Sequence, residues 1–191
     1  MEELVTCEGT VHSVIFQNAE NGYTVLRLLT EEGEVVTVVG CIPCVAPGEH
    51  LSAVGTMETH PQHGEQLRAV ELERSLPEDE EEIFSYLSSG VCKGVGPTTA
   101  RRIVERFGPE TLDVLEREPE RLSLIKGITE RKAMEIAESF RHHMGLRRLM
   151  EFLARYQLPP VLAMQLRRQY GDAALEKVRE NPYLLSGESC G

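Results

Sequence analysis

Several features that define other protein classes are missing from this 191-residue sequence. No stretch approaches the roughly 18 to 20 consecutive apolar residues of a membrane span. The first residues, MEELVTCEG, lack the basic and apolar segments of a secretory signal. The five cysteines are few for the length and odd in number, so no disulfide framework is expected. We therefore expect a cytoplasmic protein that has no membrane partner.

The sequence also lacks the G-x-x-x-x-G-K-[ST] loop that holds the phosphates of ATP. Lys93-Gly94 and Lys126-Gly127 present these residue types in the reverse order. None of the 31 acidic residues stands in a pattern that marks a catalytic pair. We expect this stretch to have no catalytic site, no cofactor and no metal of its own.

Basic residues are scarce in residues 1–82, which hold three of them and 17 acidic ones. Residues 83–191 hold the other 17 basic residues and 14 acidic ones, so the excess that gives a net charge of −11 lies in the first part. A nucleic-acid binder usually carries a basic surface. The asymmetry predicts two modules with different surfaces, of which only the second has the charge for DNA.

Residues 1–76 are predicted to form a small β-barrel. Short runs of apolar and β-branched residues recur about every ten residues, with turn residues such as Asn21-Gly22 between them. Five strands in about 75 residues fit an oligonucleotide/oligosaccharide-binding (OB) barrel best. Residues 77–82, PEDEEE, are predicted to be an acidic linker or the start of a helix. The predicted strands are Val5–Phe16, Tyr23–Leu29, Val35–Val39, Leu51–Met57 and Leu67–Leu72.

From Ile83 onward, apolar residues recur at the three- and four-residue spacing of helices. The predicted fold class is therefore α+β, an OB-like β-barrel followed by an all-α domain. His142 and His143 are expected at a solvated helix end. Glycines 108, 127, 145 and 171 are expected near helix ends. The predicted helices include Thr99–Phe107, Glu110–Glu118, Glu130–Phe140, Arg147–Tyr156 and Pro160–Tyr170.

The helical part contains internal repeats. At an offset of 33 residues, Gly94-Val95-Gly96 aligns with Gly127-Ile128-Thr129. At an offset of 63 residues, six positions from Pro97 to Leu122 meet identical residues from Pro160 to Leu185. One duplicated unit therefore builds this part. We predict a tandem helix-hairpin-helix domain over residues 83–145 and the start of a second, truncated unit over residues 146–191.

Each hairpin has the residue types of a phosphate-binding turn. Glycines around one apolar residue allow a tight turn with outward N–H groups at a helix N-terminus, where the helix dipole also favours an anion. The apolar residue, Val95 or Ile128, is predicted to point inward. Contacts of this kind reach only the DNA backbone, so binding should be independent of base sequence and sensitive to salt. The predicted DNA-binding residues are Lys93, Gly94, Val95, Gly96, Thr98, Thr99, Arg101, Arg102, Lys126, Gly127, Ile128, Thr129, Arg131 and Lys132.

Other interpretations of these parts stay open. The hairpins could serve only packing or protein contact. The third hairpin, Gln157-Leu158-Pro159, has no glycine and is predicted to be structural because proline lacks an N–H donor. For the barrel, protein contact or intramolecular packing is favoured over DNA, because its aromatics are only Phe16 and Tyr23 and its charge is strongly negative.

A zinc site is the main alternative that the cysteines suggest. Cys41 and Cys44, followed by His60 and His63, supply four ligands of suitable type. The histidines are separated by two residues, whereas three to five are usual. Both pairs also fall in predicted loops of the barrel. We therefore expect no metal here.

The order of parts resembles the N-terminal region of the long-form RecD-like (RecD/TraA) ATP-dependent DNA helicases of bacteria. The most specific matching stretches are YLSSG…GVGPTTA, from Tyr86, and RENPYLL, from Arg179. The family's hairpin residues map onto Gly94, Val95 and Gly96, and onto Gly127 and Ile128. This sequence departs from the family at Thr129, where a glycine is usual, and at His63 and Leu67, where aromatics are usual. The threonine weakens the second hairpin as a phosphate site.

The resemblance implies a parent enzyme that moves 5′ to 3′ along single-stranded DNA and uses ATP and Mg²⁺ in downstream motor domains. Its expected partners are DNA, those motor domains and repair proteins. The 63-residue offset places a fourth hairpin at Cys190, so we expect a longer protein. Two other roles stay open, an interaction module that docks onto the motor or a repair partner, and a nuclease accessory subunit.

Overall fold

The computed structural model describes residues 3–186. It begins with a closed five-stranded barrel in the order β1-β2-β3-β5-β4. All neighbouring strands are antiparallel except β3 and β5, which are parallel. The predicted barrel is therefore confirmed, and every predicted strand lies within an observed one. The strands are β1 (Leu4–Gln17), β2 (Tyr23–Thr30), β3 (Val35–Cys41), β4 (His50–His60) and β5 (Gly64–Ser75).

The barrel closes around alternate residues of its strands. Leu26 and Leu28 of β2, Val38 of β3 and Leu67 of β5 are completely buried. Their outward neighbours are more exposed because successive side chains of a strand point to opposite faces. Leu67 is thus a core residue of the barrel, which explains why an aliphatic side chain serves at this position.

The rest of the described chain is helical. A π-helical turn at Leu87–Val91 follows α1, and short 3₁₀ turns lie at Gly108–Glu110, Pro119–Leu124, Gly171–Ala173 and Pro182–Ser186. No helix within residues 3–186 combines the length and apolar character needed to cross a membrane. The helices are α1 (Glu80–Tyr86), α2 (Pro97–Phe107), α3 (Thr111–Arg117), α4 (Glu130–Ala154), α5 (Pro160–Tyr170) and α6 (Ala174–Glu180).

The last three residues of the acidic segment PEDEEE form the first turn of α1. Asp79 caps the N-terminus of α1, and its side chain accepts a hydrogen bond from the Glu82 N–H at 2.8 Å. Three glutamates form the first turn, where negative charge stabilises the helix dipole. Glu82 also accepts hydrogen bonds from Thr10 at 3.1 Å and His50 at 2.9 Å, so α1 is joined to the barrel.

The predicted 63-residue repeat is visible in the backbone. Helices α2 and α5 begin and end at equivalent positions, as do α3 and α6. Gly108 and Gly171, which follow α2 and α5, have φ angles of +57° and +60°. The same sequence pattern therefore gives the same helix, glycine stop and short helix twice. The fourth hairpin, predicted at Cys190, lies outside the described residues.

Gly145 does not end a helix, so that prediction is wrong. The segments predicted as Glu130–Phe140 and Arg147–Tyr156 are parts of the single 25-residue helix α4. A glycine inside a helix costs about 1 kcal/mol relative to alanine. Here its missing side chain makes room for a neighbour, because Arg167 Nη1 lies 2.8 Å from where a Cβ of Gly145 would be. The boundary predicted between residues 145 and 146 falls inside this helix.

The two histidines of α4 are also not at a helix end, which corrects the second prediction for this segment. His142 is exposed and lies 3.0 Å from the Asp172 carboxylate. His143 instead packs edge-on against the buried ring of Tyr86, with ring centroids 5.9 Å apart. Burial lowers the pKa of His143 to about 4, with a smaller contribution from nearby arginines. The ring is therefore neutral at physiological pH.

A buried carboxylate links the barrel to the helices. Glu49, in the loop before β4, is completely buried and contacts the guanidinium groups of both Arg74 and Arg147. Arg74 lies 3.0 Å from Glu49 and also donates to the Pro43 carbonyl at 2.7 Å. Arg147 belongs to α4 and also contacts Glu151 at 3.3 Å. Since β5, this loop and α4 meet at one charge, the cluster fixes how the modules pack.

Close backbone packing adds to this interface. Gly48 has a φ of +90°, and a Cβ at this position would lie 2.2 Å from the Glu82 carbonyl oxygen of α1. No side chain fits into that space without moving the helix. Glycine therefore allows the barrel loop and α1 to touch through their backbones.

Candidate nucleic-acid interface

The first hairpin joins the π-helical turn to α2. Gly94 has a φ of +82°, a conformation that glycine adopts without strain. Val95 points inward and is 5% exposed, and its N–H donates to the Cys92 carbonyl at 3.2 Å. Burial raises the pKa of the Cys92 thiol to about 12, so the thiol beneath the turn stays neutral. The inward position predicted for the apolar residue is confirmed.

Helix α2 begins without a side-chain cap. Its N-cap residue is Gly96, in an extended conformation, and Pro97 is the first helical residue. The N–H groups of Thr98 and Thr99 have no acceptor among the described residues. Backbone donors at a helix N-terminus attract anions because of the helix dipole. The first hairpin therefore presents free donors to solvent.

The second hairpin has the same shape but a different cap. Gly127 has a φ of +93°, and Ile128 is 5% exposed in the core. Thr129 is the N-cap of α4, and its hydroxyl accepts a hydrogen bond from the Lys132 N–H at 3.2 Å. One of the donors that a phosphate would need is therefore already bonded within the protein.

The two hairpins lie side by side and contact each other's helices. Arg102 of α2 donates to the Lys126 carbonyl in the second hairpin at 3.3 Å. The Lys93 N–H in the first hairpin donates to the Ser139 hydroxyl of α4 at 2.8 Å. Between them lies a cleft of about 360 Å³. Its lining residues are Lys93, Gly94, Thr129, Arg131, Lys132, Glu135 and Ile136.

The predicted basic residues differ in what they contact. Arg101 faces α1, where it donates to Glu81 at 3.0 Å and covers the ring of Phe84 at 3.8 Å. Arg131 pairs with Glu135 on its own helix at 3.1 Å. Neither guanidinium group is therefore free of protein contacts.

The lysines, in contrast, are available. The side chains of Lys93, Lys126 and Lys132 make no ion pair or hydrogen bond with the part of the chain that the structure describes. All three lie at or beside the two hairpin turns. Unpaired positive charge therefore lies at the two hairpin turns, although the whole chain is acidic.

The third hairpin keeps the backbone shape without glycine. Gln157 occupies the position of Gly94 in the repeat and has a φ of +57°. Pro159 is the N-cap of α5 and has no N–H to offer. The hairpin thus retains its fold but loses a donor, and its predicted structural role remains a prediction.

Sequence reasoning missed the residues that hold the first hairpin and Arg101 in place. Ser139 is 46 residues from Lys93, so no local pattern reveals that contact. Glu81 and Phe84 are likewise 20 and 17 residues from Arg101. Helical periodicity gave only the face of each helix. The packing of α2 between α1 and the second hairpin decides which basic residues stay free.

The four candidate zinc ligands do not form a site. Cys41 donates to the Asn21 carbonyl at 3.3 Å, and His60 stacks on His63 with ring centroids 4.7 Å apart. Burial raises the pKa of both the Cys41 and Cys44 thiols. Throughout residues 3–186, no three histidine, cysteine or acidic side chains come together as metal ligands would.

Fold and site together define an OB barrel joined to a tandem helix-hairpin-helix region, and the comparisons with known families agree. Residues 4–77 match the OB-fold domain of the ATP-dependent DNA helicase YrrC. Residues 85–142 match a SAM-like helix-hairpin-helix tandem, and residues 142–191 match the helix-hairpin-helix domain of the ATP-dependent RecD2 DNA helicase. The resemblance to the N-terminal region of the RecD-like helicases is therefore confirmed.

Comparison with an individual relative agrees with the family matches. It is 31% identical, over 185 residues, to an ATP-dependent RecD2 DNA helicase of Deinococcus radiodurans. The match covers 93% of this chain and 26% of that relative, so the chain spans about a quarter of the relative's length. A solved structure of the S. pombe Stn1–Ten1 complex is 18% identical with a TM-score of 0.32, covering 38% of this chain and 57% of that one. That likeness is too distant to bear on function.

Proposed function

We propose that the two hairpins hold DNA by its sugar-phosphate backbone and do not read its bases. The observation that carries this proposal is the uncapped N-terminus of α2, where the Thr98 and Thr99 N–H groups have no acceptor in the described chain. A phosphate oxygen satisfies such donors and interacts favourably with the helix dipole. Because every base sequence carries the same phosphates, this contact is sequence-independent.

The lysines supply the electrostatic part of the proposed DNA binding. Lys93 and Lys132 line the cleft between the hairpins, and Lys126 directly precedes Gly127 of the second hairpin. None of the three side chains has a partner in residues 3–186. Each lysine that pairs with a phosphate releases condensed counterions from the DNA, so affinity falls as salt rises. The acidic barrel does not prevent this, because salt at physiological concentration screens exposed charges beyond about 8 Å.

The hairpins contribute unequally in this proposal. The first has both glycines and free donors, whereas the second uses Thr129 to bond its own Lys132 N–H. A phosphate at the second hairpin therefore competes with an internal hydrogen bond. The third hairpin, with Pro159 at the N-cap, holds no phosphate.

The wider setting is also proposed from the family. The parent protein would be an ATP-dependent 5′ to 3′ DNA helicase of DNA repair and recombination in the bacterial cytoplasm. ATP and Mg²⁺ would bind downstream motor domains, and this region would contribute no catalytic residue. Its partners would be DNA, those motor domains and repair proteins.

The proposal is tested by the DNA affinity of the chain at low salt, measured by fluorescence anisotropy with labelled single and double strands. Gly96→Pro removes an N–H at the first hairpin and is expected to weaken binding. Thr129→Gly frees the Lys132 N–H at a cost of only a few tenths of a kcal/mol in capping, and is expected to strengthen binding. Lys177→Gln, on α6, is the control and should bind like the wild type.

The opposite outcome favours the alternative function. If the unmodified chain has no DNA affinity even at low salt, the hairpins and barrel would act as an interaction module that docks onto the helicase motor or a repair partner. Equal affinities of the Gly96→Pro and Thr129→Gly variants would place the DNA somewhere other than the hairpins.

A further inference from the structure

An apolar groove lies open between the end of α4 and the last helical turns of the described chain. It encloses about 460 Å³. The rings of Phe152 and Tyr156 lie side by side in it, with centroids 5.3 Å apart, and Tyr156 is 63% exposed. Arg179 is a charged residue of the lining, and its guanidinium lies 5.6 Å from the Phe152 ring. We define the open groove as the surface formed by Phe152, Tyr156, Leu158, Val178 and Leu185.

The first helical unit has the same surface, and there it is buried. Three residues of the open groove have counterparts at the 63-residue offset, and these are 5%, 0% and 0% exposed. The three counterparts share one hydrophobic core with the second hairpin and α4. Helix α4 also contacts both α3 and the turn Pro119–Leu124. The hairpin and helix that come next in the chain therefore cover this surface. The counterparts of Leu158, Val178 and Leu185 are Val95, Leu115 and Leu122, in that order.

The second unit lacks this cover within residues 3–186. Leu158 and Leu185 are only half-buried, although their counterparts in the first unit are enclosed. The side chains that cover the first unit include Ile128, Ala133 and Ile136. The 63-residue offset moves these three positions to residue 191 or beyond it, after the described part of the chain. The open groove and its expected cover therefore follow one another in the same order as in the first unit.

The second unit is also more apolar at this surface than the first. Phe152 and Tyr156 take the places that Ser89 and Lys93 have in the first unit. Two rings in place of a hydroxyl and an ammonium group favour an apolar occupant and disfavour a phosphate. An exposed apolar surface rimmed by polar residues marks a contact site. The open groove therefore suits a protein segment and not the DNA backbone.

We propose that the open groove is covered by a hairpin and helix that follow Gly191 in the parent protein, packed as the second hairpin and α4 pack on the first unit. This inference rests on the longer parent of the proposed function, and the chain spans about a quarter of the matched relative's length. The occupant is an amphipathic helix with apolar residues three and four positions apart, because one stripe of the helix must face the groove. Its docking makes the second unit a complete copy of the first.

Photocrosslinking in the full-length parent protein tests this contact. The photoreactive amino acid p-benzoylphenylalanine replaces Tyr156, which is exposed enough for the substitution to leave the fold intact. After ultraviolet irradiation and proteolysis, the crosslink should map by mass spectrometry to the first helix after Gly191 of the same chain. The same amino acid in place of Tyr23, which is 43% exposed on the barrel, is the control and should not crosslink to that helix.

A comparison of thermal stability gives a second readout that needs no photoreactive group. Leu185→Ala is made in the 191-residue chain and in a chain extended through the next helix. In the extended chain the helix encloses Leu185, so the variant should lower the melting temperature by more than it does in the shorter chain. Leu122→Ala, at the equivalent position that is already buried, is the control and should lower the melting temperature equally in both chains.

The outcomes separate this inference from the function proposed for the hairpins. A crosslink to a second copy of the chain, to the motor domains or to no segment overturns the inference, as does an equal effect of Leu185→Ala in both chains. Neither measurement includes DNA, so neither bears on DNA binding by the hairpins. If the parent's coding sequence ends at residue 191, the longer parent and this inference both fail, whereas the affinity measurements still decide whether the hairpins bind DNA.

Discussion

Replacing Glu49 by glutamine removes the buried carboxylate that Arg74 and Arg147 share. Arg147 is 3% exposed in its side chain, and its remaining partner would be Glu151, which is 54% exposed. Arg74 would keep the carbonyl groups of Pro43 and Cys44. Removing one partner of a buried ion pair costs about 3 to 5 kcal/mol. For a chain of this size, that lowers the melting temperature by about 6 to 20 °C.

The order of variants makes the prediction sharper. Arg147→Met should cost less than Glu49→Gln, because Glu49 then keeps Arg74 at 3.0 Å. The double variant should cost less than the sum of the two, because it removes both charges together. Glu151→Gln is the control, and loss of an exposed partner should cost under about 1 kcal/mol.

The assay is urea unfolding followed by far-ultraviolet circular dichroism, since the chain has no tryptophan. The free energies of unfolding are compared among variants with the same m-value, the slope against urea concentration. A difference then reports stability and not a change in the surface exposed on unfolding. The reasoning is refuted if Glu49→Gln is as mild as Glu151→Gln, or if Arg147→Met is the more damaging change.

Three further predictions concern the backbone conformation of the hairpins, the contact at Gly48 and the protonation of His143. Gly94→Ala should lower the free energy of unfolding by about 1 to 2 kcal/mol because the φ of Gly94 is +82°. Gln157→Gly should raise it, because glycine adopts the left-handed conformation of this position without strain. Changes of stability in the same direction for both variants, measured by urea unfolding, would contradict this. Gly48→Ala should destabilise far more than Gly33→Ala in the same assay, since only Gly48 faces a backbone atom at 2.2 Å. The pKa of His143 is lowered to about 4 in the folded protein, so the histidine of the unfolded chain binds a proton at higher pH than that of the folded chain. As pH falls from about 6.5 to 4, the free energy of unfolding should therefore decrease by up to about 3 kcal/mol. His143→Leu should remove this part of the loss of stability at acid pH. If the free energy of unfolding of the variant still falls as steeply between pH 6.5 and 4, the role given to His143 is wrong.

Much of the fold follows from local patterns in the sequence. Alternation along Tyr23–Thr30 and turns such as Asn21-Gly22 specify strands, and the 63-residue repeat specifies equivalent helices. These patterns work because each reflects backbone geometry over a few residues. Gly145 misled the prediction because glycine both ends helices and admits close neighbours. Only the position of Arg167 distinguishes the two roles.

The site was less predictable than the fold. The turn residues Gly94 and Gly127 follow from their motif, since the left-handed backbone itself requires glycine. Which basic residues are free does not follow, because Arg101 is bound by residues of α1. The buried Glu49 was also missed, as its partners lie 25 and 98 residues away. Contacts across such distances depend on how the modules pack.

The central claim, that the hairpins hold the DNA backbone, is tested most directly by the salt dependence of single-strand affinity. The logarithm of the association constant falls with the logarithm of salt concentration, with a slope of about −0.7 per phosphate contact. If Lys93, Lys126 and Lys132 each pair with a phosphate, their joint replacement by glutamine should make the slope shallower by about 2. The Lys177→Gln control should leave the slope unchanged. A triple variant with the slope and affinity of the wild type would contradict the account.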